Sequence, residues 1–221
     1  MAWTAPSTFV AGAILTAAQM NTNVRDNSLA GGPIYTTEAL RDAAITSPFE
    51  GQRAYITAST VAAATAGGGG GAVPTGIQTI YNGAAWVCVT PVGSLSNTSG
   101  TSTTPLPTYV TTLTGDLTAV SVTLSTGTSA RVDLSGTMSH SGGLSTQMVL
   151  SVSVSGATTV AVTQNNGCSI NSCGVGYAQT LARSFIITGL TAGTNTFTLN
   201  YGAQAGTQTW NSRNIIVQGI A

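Results

Sequence analysis

His140 is the sole histidine of the chain, and Ser139, Ser141 and Asp133 lie near it in sequence. A nucleophile, a base and an orienting acid would be needed for hydrolysis. The context argues against that chemistry: Ser-His-Ser-Gly-Gly is not the Gly-x-Ser-x-Gly elbow that exposes a serine between strand and helix, and His140 reads as a turn histidine. Asp116 and Asp133 are the acids of the C-terminal half and could in principle cleave a glycosidic bond as a pair. With no further acids beside them they read as strand-end, solvent-facing residues. The run Gly67 to Gly71 is not followed by Gly-Lys-Ser/Thr, so it is a flexible tip rather than a phosphate cradle. Cys88 alternates with apolar neighbours and reads as a small buried hydrophobe. Cys168 and Cys173 bracket Ser169-Ile170-Asn171-Ser172 in a Gly/Asn-rich loop, where they can close a small disulfide or stay as thiols. Their spacing lacks the second ligand pair of a zinc site. The chain is therefore read without catalytic residues, cofactor or metal.

The elements that would position such residues are set by an unusual charge content. Charged residues make up 5% of the 221 positions, against about 25% in ordinary globular proteins. All six cations are arginine, dispersed from Arg25 to Arg213 and balanced by six acids, so no basic surface for nucleic acid can be assembled. Mean hydropathy is +0.27, yet the longest plainly apolar stretch runs only from Val10 to Leu15, far short of the ~18 residues of a membrane helix. Membrane insertion is not expected. No cation precedes Arg25, and Thr16 and Gln19 interrupt the apolar stretch, so a secretory signal is not expected either. A β-rich chain without lysine also lacks the gatekeepers that protect free strand edges. Burial of those edges by identical subunits or by a host lattice solves that problem, which points to a structural component.

Four segments follow along the chain. Residues 1–32 hold an extended lead-in and one short helix from Leu15 to Asn27: Thr16 caps its first turn, Gln19 completes a capping box, and Leu15 and Met20 staple the entry. A helix this short is marginal alone, so Met20 and Val24, with Trp3 and Phe9, are expected to dock on a larger body. Residues 33–92 read as a small α+β module, with a helix over Thr36–Ile45 placing Leu40 and Ala44 on one face. Strand-like runs follow, the last two joined at Asn82-Gly83, where a hairpin turn needs positive φ. Residues 93–107, Ser/Thr-rich and closed by two prolines, read as a linker. From Thr108 to Ala221 apolar residues alternate with Ser and Thr in about eight runs, the signature of an antiparallel β-sandwich or jelly roll.

Two of these patterns resemble a known family. Trp3, Pro6, Thr8-Phe9-Val10 and Gly12, followed by Leu15-Thr16-Ala17-Ala18-Gln19-Met20-Asn21-Thr22-Asn23-Val24-Arg25-Asp26-Asn27, are similar to the N-terminal segment of virion proteins of tailed bacteriophages, including minor tail, fibre and surface-decoration proteins. The Tyr81, Asn82-Gly83, Trp86 hairpin behind them is also found in phage appendage proteins. The resemblance implies a structural protein of the virion surface, assembled in the host cytoplasm, whose N-terminus docks on a capsid or tail protein. A capsid decoration or short head fibre is favoured over a tail fibre, because heptads, β-helix repeats and collagen-like runs are missing. The alternative is a minor tail or tail-tip protein whose knob binds a host surface glycan through loops at Asn165-Asn166-Gly167 and Ser139 to Gly143.

The closing stretch Trp210 to Gly219 resembles the last strand of trimeric jelly-roll knobs related to tumour necrosis factor. That likeness implies a homotrimer, with Phe185, Tyr201, Trp210 and Ile216 as interface residues. The complete expectation is a mainly β chain: an N-terminal docking helix, a small α+β module, a linker and a C-terminal jelly-roll knob.

Overall fold

A computed structural model of the chain describes residues 32–65, 76–141, 146–173 and 176–221, together with Thr16. The docking residues Trp3, Phe9, Leu15, Met20 and Val24 lie outside the described residues, as do Gly67 to Gly71.

The first unit is a four-stranded sheet in the order β1-β2-β4-β5, made of β1 (Ile34–Tyr35), β2 (Arg53–Ile56), β4 (Ile77–Tyr81) and β5 (Trp86–Cys88), with helix α1 (Glu38–Ala44) inserted after β1. Thr37 caps the helix, its hydroxyl accepting from the Leu40 amide at 3.4 Å. The helix lies within the expected span Thr36–Ile45, but its buried face is not the expected one. Leu40 is 54% exposed, while Glu38 and Arg41 are buried. Strands β4 and β5 form the expected hairpin, pairing Tyr81 with Trp86. Its turn works differently: Gly83 alone has positive φ, at 90°. Asn82 instead accepts the Ala84 and Ala85 amides on its side-chain oxygen at 3.1 and 2.9 Å.

The second unit is a two-sheet sandwich. One sheet runs β11-β10-β13-β8-β3 and the other β12-β9-β14-β6, with β7 also pairing β14. Their strands are β3 (Ala63–Thr65), β6 (Val92–Ser96), β7 (Gly100–Ser102), β8 (Ser121–Thr126), β9 (Ser129–His140), β10 (Thr146–Gly156), β11 (Gly167–Cys173), β12 (Ala178–Thr188), β13 (Gly193–Ala203) and β14 (Gln208–Ile220). From β8 onward the chain passes back and forth between the sheets, apart from the β10-β11 hairpin within one of them, and all these pairs are antiparallel, which is a jelly roll. Val122, Leu124, Val132, Leu134, Leu150, Val152, Phe197, Leu199, Ile215 and Val217 fill its interior as the alternation predicts. Full burial of each such side chain stabilises by roughly 1.5–3 kcal/mol.

Residues 93–107 are not a linker. Val92–Ser96 and Gly100–Ser102 are strands that pair with β14, and Ala63–Thr65, inside the span expected to be a separate module, pairs with β8 of the sandwich. One continuous apolar cluster runs from Tyr35 through Trp86 to Val217, so the expected boundary between module and knob does not separate two cores. Composition misled here because Ser, Thr and Gly serve an internal strand as well as a linker when their partner is more than a hundred residues away. Outside the named strands, Val160 forms an antiparallel bridge to Val154.

Candidate functional site

The residues singled out for chemistry are separated by the fold. His140 is the last residue of β9, not a turn residue; it points inward, is buried, and pairs across to Gln208. Asp133 faces outward on β9 and meets Arg131 at 3.2 Å. Asp116 is the reverse of its solvent-facing reading: its side chain is 4% exposed and paired with Arg213. The two carboxylates thus lie on opposite sides of one sheet and cannot flank a common substrate.

Cys168 and Cys173 belong to a strand rather than a loop, and Cys168 is a free thiol. Five steps of extended chain at ~3.3 Å each put the two on the order of 15 Å apart, beyond the ~7 Å limit for Cα atoms of a disulfide. Of the two readings left open for this pair, the strand geometry excludes the bridge. Burial pushes the Cys168 thiol up to about 11, against a smaller opposing effect of the nearby backbone and Arg183, so it is a poor nucleophile at neutral pH.

The core instead contains a polar cluster that the sequence did not suggest. In β14 the register against β9 shifts between Asn211 and Asn214, and Ser212 adopts φ 47°. Such a bulge adds one residue and re-aims the next side chain. Trp210 and Arg213, three apart, both point inward and are fully buried. Arg213 Nη2 donates to Asp116 Oδ2, to Ser96 Oγ at 2.9 Å and to the Thr98 carbonyl at 2.9 Å. Its Nη1 donates to the Tyr201 hydroxyl at 3.0 Å. Ser96 Oγ donates to Asp116 Oδ2 at 2.6 Å. Desolvation pushes Asp116 upward, but its hydrogen bonds from Ser96, Arg213 and Thr118 and the Arg213 charge outweigh it and hold the carboxyl below its ordinary value. Burial drives the Tyr201 phenol up to about 12. This cluster ties the 96–118 segment to the last strand; it is a clamp.

Tyr201 and Trp210, expected at a subunit interface, pack against each other with ring centroids 5.6 Å apart and are wholly inside the sandwich. They cannot contact another subunit. Phe185 and Ile216 are only half-buried. Ile216 lies on the outward face of the β12-β9-β14-β6 sheet, whose cross-strand rows run Ile186, Arg131, Gln218; then Ser184, Asp133, Ile216, Gly93; then Ala182, Ser135, Asn214, Leu95. The charged side chains on this face are Arg131 and Asp133, which neutralise each other. A depression of about 300 Å³ lies among Asp133, Ser135, Ala182, Ser184 and Asn214. Edge strand β12 is exposed along most of its length, Ile186 at 58%. Arg183 fastens it across the open side of the sandwich, donating to the Asn165 and Gly167 carbonyls at 2.7 and 2.6 Å. The Asn165–Gly167 loop is thus partly engaged within the chain.

A second concave feature lies where the first unit meets the sandwich. Arg41 from α1 stacks over Trp86, 4.5 Å from the ring centroid, and pairs with Asp42 at 2.8 Å. Glu38 accepts from Ser59 Oγ and from the Thr60 amide and hydroxyl, both at 2.9 Å. Desolvation raises its pKa, and these hydrogen bonds reverse the shift to a net lowering. A cavity of about 250 Å³ opens beside these groups. The sequence reading missed it because the apolar pair Leu40 and Ala44 suggested the opposite helix face.

The class defined by this topology is the antiparallel jelly-roll β-sandwich. No family model matches the sequence, and no curated protein matches it. Among solved structures, the chain is similar to VP2 of infectious bursal disease virus in a subviral particle, with 11% identity and a TM-score of 0.42 over 63% of this chain and 34% of that one. It is also similar to the Eiger TNF protein of S. frugiperda, with 10% identity and a TM-score of 0.40 over 59% of this chain and 93% of that one. A third likeness is to the CBM22-1-GH10 modules of Clostridium thermocellum endo-1,4-beta-D-xylanase 10B complexed with xylohexaose, with 11% identity and a TM-score of 0.30 over 58% and 26% of the two chains. This chain spans about a third of the VP2 chain, and at these scores and identities no function passes from these proteins to it.

Proposed function

We propose that this chain is a structural protein of a tailed-phage virion surface, a homotrimeric capsid decoration or head fibre anchored by its N-terminal segment. The observation that carries the assembly reading is the outward β12-β9-β14-β6 face with its adjoining edge. The face is broad and self-neutralised, and the long edge strand beside it has a single charge, Arg183, turned back onto its own chain. A free monomer with that edge invites uncontrolled pairing. Setting the β12 edge of one copy on the sheet face of the next joins two different surfaces, and such a contact, repeated with a threefold rotation, closes a ring of three. Ile186, Ile216 and the rim residue Phe185 are assigned to the contact, in place of the core residues Tyr201 and Trp210. The N-terminal and Tyr81-to-Trp86 patterns support the virion setting, and the docking role of Trp3, Phe9, Leu15, Met20 and Val24 rests on them.

Sedimentation equilibrium of the full chain tests the assembly. A trimer at micromolar concentration is expected, and a stable monomer defeats the reading. Deleting residues 1–30 is expected to leave a folded trimer that no longer joins particles; normal incorporation of the truncated chain refutes the anchor.

A further inference from the structure

The chain contains two Asn-Gly sequences, Asn82-Gly83 and Asn166-Gly167, and the fold treats them in opposite ways. A glycine after asparagine leaves its backbone nitrogen unhindered, so that nitrogen can attack the carboxamide of the preceding side chain wherever the backbone is free to bend. At Asn166 it is not free. Gly167 is held in β11 opposite Ser151, so close that a Cβ on it would collide with the Leu150 carbonyl oxygen. The Asn166 carbonyl accepts from Ser151 Oγ at 3.0 Å, and the Gly167 carbonyl accepts from Arg183 Nη1 at 2.6 Å.

Asn82 stands at the open turn of the β4-β5 hairpin, with the groups that this reaction needs around it. Its Oδ1 accepts the Ala84 and Ala85 amides at 3.1 and 2.9 Å, an arrangement that stabilises negative charge developing on a carbonyl oxygen under attack. Gly83 is exposed with φ 90°, and its amide donates to no protein group among the described residues. Apart from its chain neighbours, the atoms nearest Gly83 belong to Glu50, whose Cδ and Oε2 come within 3.8 Å of where a Gly83 Cβ would stand. Glu50 is exposed, and it lines with Asn82, Thr128 and Ala221 a depression of about 590 Å³.

We propose that Asn82-Gly83 is a self-modification site, at which Glu50 assists conversion of the asparagine to aspartate and isoaspartate. Glu50 takes the Gly83 amide proton as the nitrogen bonds to Asn82 Cγ, and the carbonyl electron pair moves onto Oδ1 between the Ala84 and Ala85 amides. That pair returns as the Cγ–Nδ2 bond breaks, and Nδ2 leaves as ammonia with the proton that Glu50 carried. Water from the depression then opens the five-membered imide at either of its carbonyls. One opening leaves an ordinary aspartate; the other routes the backbone through Cγ and lengthens it by one methylene. Either product adds a seventh acid to the six that balance six arginines, and places it beside Glu50. Loss of ammonia makes the change irreversible, and it falls on the hairpin whose Tyr81 and Trp86 rings pack 5.6 Å apart.

The test is peptide mapping by mass spectrometry of the full chain held in neutral buffer, with isoaspartate read by methyltransferase labelling. In the folded chain Asn82 is expected to convert at least about 10-fold faster than Asn166. In urea, where neither turn is held, the two are expected to convert at similar rates. Glu50→Gln, a change at an exposed side chain that spares the fold, is expected to slow Asn82 by about 10-fold in the folded chain, less than a fully positioned base provides, and to leave the rate in urea unchanged. An Asn82 that stays intact, or converts no faster than Asn166 in the folded chain, overturns the proposal. So does full-speed conversion in Glu50→Gln, which would reduce the site to an ordinary Asn-Gly sequence. The same rate ratio in urea as in the folded chain would trace the selectivity to sequence rather than to the turn, and overturns it as well.

Discussion

Removing the carboxylate of Asp116 isolates the core clamp. In Asp116→Asn the Arg213 guanidinium keeps the Ser96, Thr98 and Tyr201 contacts but loses the charge that balances it, at a position with no solvent exposure. Breaking a buried pair from one side costs about 3–5 kcal/mol, a large share of the ~5–15 kcal/mol that holds a domain folded. At roughly 2–4 °C per kcal/mol for a chain of this size, the melting temperature should drop by about 6–20 °C. The double variant Asp116→Leu with Arg213→Met removes both charges and should recover most of that loss, because apolar replacement of an entire buried pair is often neutral or stabilising. Urea unfolding followed by Trp fluorescence measures both, provided the m-value is unchanged. The pH response has a defined sign. The folded-state pKa of Asp116 lies below its unfolded value of about 3.9, so its contribution is fully present above that value and is lost as pH falls through the folded pKa. A cost below about 1 kcal/mol for Asp116→Asn, within the range of an exposed pair, would refute the clamp, as would a double variant no better than the single one.

Further expectations concern assembly and local structure. Ile186→Asp with Ile216→Asp should convert a trimer to a folded monomer in sedimentation, whereas Trp210→Ala should lower stability by roughly 3–5 kcal/mol as a core truncation; the reverse pattern would return the interface to the core residues. Reductant should leave the melting curve and intact mass of the chain unchanged, because Cys168 is a thiol; a reduction-dependent shift would show a bridge. Thr37→Ala should cost about 1 kcal/mol through loss of the α1 cap, and a change within error would mean the cap contributes nothing.

The residues explain how much of this architecture was legible. Alternation exposed the strands around Val122, Val132, Leu150, Phe197 and Ile215 because each has one buried face, and period two survives any tertiary context. It did not expose Val92–Ser96 or Gly100–Ser102, whose identity as strands depends on β14, distant in sequence. Cys168 to Cys173 looked like a loop through its Gly and Asn neighbours, although pairing with β10 makes it a strand. Nothing in the sequence singles out Arg213, because the Ser212 bulge that turns it inward has no glycine to mark it. The same limit hid the cavity: Arg41 becomes a buried donor only once Trp86, from a different element, lies beneath it.

The most direct test of the virion reading is imaging of purified tailed-phage particles carrying this chain, with antibody raised against residues 32–221. The account predicts labelled knobs on the particle surface in copies that are multiples of three, lost when residues 1–30 are deleted. Absence of the chain from mature particles would contradict it.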